Sequence, residues 1–153
     1  TPLLFHLAAC AVHILDIHVM LQKEVVERMV AAPGDSNYGR LSVMLQYRFR
    51  MEKLLDVPAA SFEPVPKVDS AVIRLTPQRP RPCVALDEAL FASLVAAAFS
   101  QRRKTLRNSL RKFIAEAAFD TLGIASTARA QELSVAQFVA LADSVIMNTR
   151  GMP

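Results

Sequence analysis

The sequence has 153 residues, of which 52% are hydrophobic and 21% are charged, a composition typical of a packed globular chain rather than of general disorder. Its net charge of +4 is modest evidence for a polyanionic partner, since many basic proteins bind nothing acidic. The longest apolar stretch, residues 3–15, is interrupted by His6 and His13 and is too short for a membrane span, so none is predicted.

The first half of the sequence alternates between helical and extended patterns. Apolar residues recur at helical spacing after Pro2. Glu24 and Arg28 can pair one turn apart in the next helix, which Pro33 stops. The predicted elements are a helix over 3–12, a mostly buried strand over 16–22, helices over 23–31 and 40–50, and strands over 54–57 and 70–76. This alternation predicts the second half of an α/β layer.

A proline-rich segment, residues 76–82, separates this half from a helical one. Its prolines can neither continue a strand nor allow a helix before the last of them, so we place a domain linker there. Asp87 can cap a helix to residue 99, Ser100 can cap a second to about residue 113, and Gly123 can close a third. A capping box at Ser134 begins the last helix. The predicted fold class is α/β followed by all-α, with domains over 1–78 and 83–150.

The most specific local pattern is Phe62-Glu-Pro-Val-Pro-Lys-Val-Asp-Ser70, between two predicted strands. Pro64 and Pro66 bias the residues before them to extended angles, which places Phe62 at the mouth of a stiff loop. A rigidly held ring can stack on a base that an enzyme extrudes, which is worth roughly 1–3 kcal/mol. The alternative, which spacing alone favours, is a core phenylalanine that fixes a proline-rich turn. Asp69 is assigned an ordinary packing or surface role.

Residues 101–112, the basic segment, carry six cations and no acid. If the segment is one helix, four of its cations share one side and its apolar side chains share another. These four are Arg103, Lys104, Arg107 and Arg111. Such a row can contact the phosphates of a nucleic-acid backbone without reading base sequence, and its binding would depend on salt. The alternative, which the sequence leaves equally open, is a solvated basic face.

Several classes of site are not indicated by the sequence. Its four glycines are too few and too scattered for a glycine-rich loop, so no cofactor-binding residue is predicted. His6, His13 and His18 have no carboxylate cluster, and no Ser-His-Asp pattern occurs, so neither a metal site nor covalent catalysis is predicted. Cys10 and Cys83 form no CxxC pattern, which argues against disulfides and favours a reducing cytoplasm.

Six segments of the sequence match the patterns of one family. They are residues 1–7, Met20-Leu-Gln-Lys-Glu-Val-Val26, Tyr38-Gly-Arg-Leu-Ser-Val43, the Phe62 pattern, Gln101-Arg-Arg-Lys-Thr-Leu-Arg-Asn-Ser-Leu110 and Arg129-Ala-Gln-Glu-Leu-Ser134. Together they resemble the ribosomal RNA adenine N6,N6-dimethyltransferases of the KsgA type, over almost the whole chain. The Phe62 pattern is shared with resistance methyltransferases that act on the large subunit, whereas the last two segments point to the small-subunit branch.

The resemblance implies the second half of a Rossmann-like methyltransferase sheet, followed by a small helical RNA-binding domain. It implies S-adenosylmethionine as methyl donor and two adjacent adenosines near the 3′ end of small-subunit ribosomal RNA as substrate. In relatives a matching phenylalanine lines the target-base pocket, so Phe62, with Pro64 and Pro66, is expected to bind the base. The donor loop and the catalytic Asn-Leu-Pro-Tyr motif have no counterpart and are expected upstream. We therefore expect no catalytic residue here and an inactive isolated chain.

The resemblance also implies which residues and partners are involved in RNA binding. The expected RNA-binding residues are Arg102, Arg103, Lys104, Arg107 and Arg111, with Lys67, Arg40 and Lys23 as weaker candidates. The expected partners are small-subunit ribosomal RNA and the pre-30S particle, for a cytoplasmic monomer without a metal. Two alternatives are a large-subunit rRNA adenine methyltransferase and a free-standing rRNA-binding or assembly module without catalysis.

Overall fold

The computed structural model describes residues 2–101 and 103–150. Its helices are α1 (Pro2–Ala9), α2 (Lys23–Val30), α3 (Arg40–Gln46), α4 (Glu88–Ala98), α5 (Leu106–Ser109), α6 (Glu116–Thr121) and α7 (Val135–Arg150). Its strands are β1 (Ile17–Gln22), β2 (Phe49–Val57) and β3 (Ser70–Pro77). Short 3₁₀ turns cover Ala11–His13, Ala59–Ser61 and Ala130–Glu132. Within the described residues all strands precede residue 78, which confirms the predicted order of α/β followed by all-α.

Strand β3 lies in the middle of the sheet, in the order β1-β3-β2, and is antiparallel to both neighbours. β1 and β2 are therefore parallel to each other. Ser70, at the start of β3, pairs with both Gln22 and Val57, so the carboxyl ends of β1 and β2 meet at one edge of the sheet. Pro77, paired with Phe49, marks the opposite edge.

Helices α1, α2 and α3 cover one face of this sheet. Ala71, Ile73 and Leu75 of β3 lie in the core beneath these helices and are at most 1% exposed. The other face carries exposed side chains, among them Met20 and Arg74. The prediction of a mostly buried β1 is therefore wrong, because a strand covered on one face exposes every second side chain.

Helix α3 is shorter and β2 is longer than the sequence pattern indicates. The predictions were a helix over 40–50 and a strand over 54–57, whereas α3 ends at Gln46 and β2 begins at Phe49. Leu45 of α3 and Phe49 of β2 lie in the same core. The predicted row of apolar residues is therefore buried, but it continues from the helix into the strand. Pairing with the full length of β3 satisfies the backbone of β2 and decides this boundary.

Three of the four capping signals of the helical part, residues 83–150, are confirmed. The prediction that Ser100 caps a helix is wrong, because its hydroxyl donates to the carbonyl of Ala97 at 2.7 Å. The side chain of Asp87 accepts hydrogen bonds from the backbone N–H groups two and three residues later, both at 2.9 Å. Gly123 follows α6 with φ of +64°, a left-handed conformation that favours glycine. The N–H of Ser134 donates to the Gln137 side chain at 2.9 Å, and the N–H of Gln137 donates back at 3.3 Å.

The prediction of one continuous helix over 100–113 is wrong, because α5 is the only helix among the described residues of that range. The N–H of Leu106 donates to the carbonyl of Ala128 at 2.8 Å, and the N–H of Arg107 donates to that of Ser126 at 3.0 Å. In a continuous helix these two groups would bond to carbonyls one turn earlier. A neighbouring segment takes both donors instead, so the residues before α5 form turns.

The buried side chains form two core clusters. One lies between the sheet and helices α1 to α3, and the other fills the helical part. The sheet part, residues 2–77, contributes four side chains to the second cluster: Ala31, Tyr38, Val43 and Tyr47. The two parts therefore pack directly on each other, and the division into domains over 1–78 and 83–150 stays a prediction.

Tyr47, at the end of α3, makes both an aromatic and a polar contact between the two parts. Its ring lies 4.5 Å from that of Phe91, measured between centroids. Its hydroxyl donates to Glu88 at 3.0 Å and accepts from the N–H of Ala85 at 3.0 Å. The end of α3 is thereby fixed to the start of α4.

Replacing Tyr47 by Phe should lower the free energy of unfolding by about 1–3 kcal/mol, because the buried N–H of Ala85 loses its acceptor. Tyr38→Phe is the matched control, since the buried hydroxyl of Tyr38 has no hydrogen-bond partner among the described residues. Its removal should be neutral or slightly stabilising. Urea unfolding of the two variants measures the difference, and equal destabilisation would contradict the role of the Tyr47 hydroxyl.

Candidate nucleic-acid interface

Residues 58–69 form the loop that connects β2 to β3, called the proline loop below. The loop lies at the edge of the sheet where the carboxyl ends of the parallel strands β1 and β2 meet, beside Gln22 and Val57. Open α/β sheets bind their ligands outside the carboxyl ends of such strands. The loop therefore occupies the position at which this class of fold carries ligand sites.

Hydrogen bonds hold the proline loop at both of its ends. At its start, the carbonyl of Pro58 accepts from the N–H of Ser61 at 2.9 Å. The carboxylate of Asp69 accepts from the N–H of Ala59 at 2.9 Å, which ties the end of the loop to its start. The carbonyl of Asp69 also accepts from the N–H of Lys23 at 2.9 Å, which ties the loop to α2.

Sequence reasoning missed this structural role of Asp69. An aspartate after a proline-rich turn is a usable signal, because its short carboxylate readily accepts from backbone N–H groups in turns. The N–H that it accepts from belongs to Ala59, ten residues earlier. Finding that partner requires the fold of the loop, since local pattern alone points to nearby amides.

Phe62 is half-buried and belongs to neither core cluster of the described residues. Its backbone is extended, with φ of −118° and ψ of 151°, as expected for the start of a stiff loop. Pro64 and Pro66 are exposed. The core alternative therefore does not describe the position of Phe62, and a role for these three residues in binding a base stays a prediction.

Lys23 and Lys67 line one depression of about 470 Å³ beside the proline loop. Its acidic lining residues are Glu24, Glu27 and Asp69. Lys23 lies 3.4 Å from Asp56, and a hydrogen bond from Lys53 together with the charge of Lys23 holds the pKa of Asp56 below its usual value. Lys67 is exposed and has no ion pair in the described ranges. The structure thus brings both predicted lysines together, with Lys67 the less neutralised of the two.

Arg40 lies at a separate cavity of about 510 Å³, between the start of α3 and the helical part. Arg28, Tyr38 and Phe99 also line it. Arg28 pairs with Glu24, which confirms the predicted pair one turn apart. Burial raises the pKa of Tyr38 to about 12, so its phenol is neutral at ordinary pH. Arg40 is exposed and, among residues 2–101 and 103–150, unpaired, which leaves it available to an anion.

The basic segment exposes its cations although it is not one helix. The exposed cations are Arg103, Lys104, Arg107, Arg111 and Lys112. Leu106 and Leu110 are fully buried in the second core cluster, so the segment docks through one side as predicted. Arg107 lies 3.6 Å from Glu116. Arg102 lies outside the described residues.

The described glycines do not form a cradle for a nucleoside cofactor. Gly34, Gly39 and Gly123 are too far apart in the sequence to form the glycine-rich loop that such a ligand requires. Residues 2–101 and 103–150 hold no cluster of three or more His, Cys, Asp or Glu side chains that could bind a metal ion. None of the helices in those ranges has the length and apolarity to cross a bilayer.

A family model described as ribosomal RNA adenine dimethylase matches residues 1–146. The chain belongs to this family. Ribosomal RNA small subunit methyltransferase A of Laribacter hongkongensis is 57% identical over 143 residues, and the protein of the same name from Aromatoleum aromaticum is 56% identical over 145 residues. These alignments cover 94% and 95% of this chain and 55% of each relative. The chain thus spans about half the length of the curated relatives it matches.

Solved structures agree with this assignment. A dimethyladenosine transferase from Plasmodium falciparum superposes with a TM-score of 0.81 at 26% identity, over 99% of this chain and 63% of that chain. The 23S rRNA methyltransferase ErmE superposes with a TM-score of 0.61 at 26% identity, over 86% of this chain and 55% of that chain. The fold is therefore that of the C-terminal portion of a Rossmann-like methyltransferase, and the predicted family is confirmed.

Replacing Asp69 by Ala should release the amide of Ala59 and loosen the proline loop, at a cost of about 1 kcal/mol. Amide hydrogen exchange followed by NMR should then be faster at Ala59 and its neighbours. Asp16→Ala is the control, because Asp16 is exposed and lies beside His18, before β1. An exchange rate at Ala59 that does not change would contradict the role assigned to the Asp69 carboxylate.

Proposed function

We propose that this chain takes part in the S-adenosylmethionine-dependent dimethylation of two adjacent adenosines near the 3′ end of small-subunit ribosomal RNA. The observation that carries this proposal is its 57% identity, over 94% of the chain, to a relative named ribosomal RNA small subunit methyltransferase A. The full-length protein would be the enzyme and would act on the pre-30S particle as a cytoplasmic monomer. The isolated chain would be inactive.

S-adenosylmethionine would supply the methyl group that is transferred to the exocyclic amine of adenine. The residues described offer this donor no glycine-rich loop, because Gly34, Gly39 and Gly123 are too far apart in the sequence. We therefore assign no donor contact to this chain and propose that the donor binds outside it. The corresponding catalytic Asn-Leu-Pro-Tyr motif would also lie outside it.

Phe62 would hold the target adenine, with Pro64 and Pro66 shaping the wall beside it. A base turned out of its stack recovers roughly 1–3 kcal/mol by stacking on an aromatic ring. Methyl transfer to the exocyclic amine needs no covalent intermediate, so accurate orientation of the amine is the main requirement. A loop pinned by Asp69 at both ends meets that requirement better than a mobile one would.

The cations of the basic segment would hold the RNA through its phosphates. The proposed set is Arg102, Arg103, Lys104, Arg107 and Arg111, with Arg40, Lys67 and Lys23 on the sheet part. Exposure supports this role for the described members of the basic segment, since phosphate contacts require accessible donors. The Glu116 partner of Arg107 and the Asp56 partner of Lys23 partly neutralise those two residues.

Replacing Arg103 and Arg107 by Glu together should weaken binding to a small-subunit rRNA fragment and flatten its salt dependence. The logarithmic slope should fall by about one unit for each phosphate that the variant no longer binds. Arg74→Glu is the control for charge reversal, because Arg74 is exposed on the uncovered face of the sheet. Filter binding at several salt concentrations gives the slopes. If the double variant keeps the wild-type slope, the RNA-binding surface lies elsewhere and does not include Arg103 and Arg107.

Replacing Phe62 by Ala in the full-length protein should reduce dimethylation roughly ten- to a hundredfold, which corresponds to the stacking energy of one base. Phe62→Tyr keeps the ring and should retain most of the activity. Primer extension measures the modification, because reverse transcriptase stops at dimethylated adenosines. Equal activity of the Ala and Tyr variants would contradict the stacking role.

The same primer extension separates the alternatives. Stops at two adjacent adenosines near the 3′ end of small-subunit RNA support the proposed function. Stops in large-subunit RNA would favour the large-subunit methyltransferase, which the lower TM-score of ErmE makes the weaker candidate. RNA binding by the full-length protein without stops in either RNA would favour an assembly module.

A further inference from the structure

A cavity of about 280 Å³ lies at the opposite edge of the sheet from the proline loop. Pro77, at the end of β3, lines it, together with residues of the 3₁₀ turn before β1 and of the linker. Pro77 lies seven residues after Ser70 along β3, or roughly 23 Å at about 3.3 Å per residue. The cavity is therefore distinct from the proposed base pocket.

Three arginines line this cavity: Arg48, Arg79 and Arg81. No carboxylate belongs to its lining in the part of the chain that the structure describes. Glu88 pairs with both Arg48 and Arg81 without lining the cavity itself. Burial raises the pKa of Glu88, but hydrogen bonds from Arg81 and Tyr47 outweigh it, so the carboxylate is ionised at neutral pH.

The charges around the cavity do not cancel. One carboxylate faces two guanidinium groups, Arg48 and Arg81, which leaves one positive charge in excess. Arg79 donates to the carbonyls of Ala11, Val12 and Ile14 at 2.7 to 2.9 Å, and these acceptors carry no net charge. The cavity wall therefore carries an excess of two positive charges, which favours a bound anion.

The arginines are also held in place before any ligand arrives. The guanidinium carbons of Arg48 and Arg81 lie 5.3 and 5.2 Å from the centroid of the same Tyr47 ring. Their hydrogen bonds to Glu88 and those of Arg79 to three carbonyls fix the remaining freedom. Preorganised side chains lose little entropy on binding, and the planar guanidinium fork matches the oxygens of a phosphate.

We propose that this cavity binds one backbone phosphate of ribosomal RNA, at a nucleotide other than the target adenosine. This inference rests on the proposed function, which supplies RNA as the partner. It adds Arg48, Arg79 and Arg81 to the RNA-contacting surface and extends that surface to the linker. The cavity would recognise a phosphate group, which both the RNA backbone and free inorganic phosphate carry. The test below separates these two sources.

Val12 allows a test that leaves every arginine contact intact. Its side chain lines the cavity and is 71% exposed, so a longer polar side chain can replace it without disturbing the core. Val12→Glu places a carboxylate beside the three arginines, and Val12→Gln is the matched neutral control. Inorganic phosphate, compared with chloride at equal ionic strength, should raise the Tm of the wild type and of Val12→Gln but not of Val12→Glu.

The second measurement uses a small-subunit rRNA fragment at several salt concentrations. Val12→Glu should bind more weakly than Val12→Gln, and the slope of log K against log salt should fall by about one unit. If the wild type, Val12→Gln and Val12→Glu all bind the RNA with the same slope, the inference is overturned and the proposed function still stands. A phosphate effect on Tm with identical slopes would assign the cavity to free phosphate instead of RNA. Absence of RNA binding by the wild type would overturn the proposed function itself.

Discussion

The pairing of β3 with two parallel neighbours determines where the candidate interface can form. Because Ser70 is bonded on both sides, the loop that carries Phe62 enters the sheet at the edge where β1 passes into α2 at Lys23. Residues about forty positions apart in sequence are thereby brought to one edge. The far end of β3, at Pro77, leads into the linker and the contact made by Tyr47. One strand thus connects the proline loop to the cavity lined by the three arginines.

Elements that depend on neighbouring residues were predictable from the sequence. The caps at Asp87 and Ser134 are examples, because a cap requires only a side chain and the amides of the next turn. The boundaries of elements that depend on residues distant in sequence could not be predicted from it. The start of β2 at Phe49 is decided by β3, and the break before Leu106 is decided by the carbonyl of Ala128. Apolar periodicity carries no information about such partners.

The candidate site shows the same division. Motifs around Phe62 and in the basic segment identified the family, and exposure of the cations follows from their chemistry. Whether Phe62 lies in a core or at a surface depends on which element covers it, which spacing does not reveal. Arg79 and Arg81 were interpreted only as part of a linker. Composition indicates a stiff segment there, but the carbonyls and the carboxylate that these guanidinium groups meet follow from tertiary structure.

The bonds that shape the start of the basic segment involve main-chain atoms alone. The amides of Leu106 and Arg107 meet the carbonyls of Ala128 and Ser126, so the side chains at those two acceptor positions contribute nothing to the bonds. Point substitutions there would preserve the arrangement, whereas inserting or deleting a single residue would shift the register and reorient the cations. Evolution is therefore freer to change the composition of this stretch than its length.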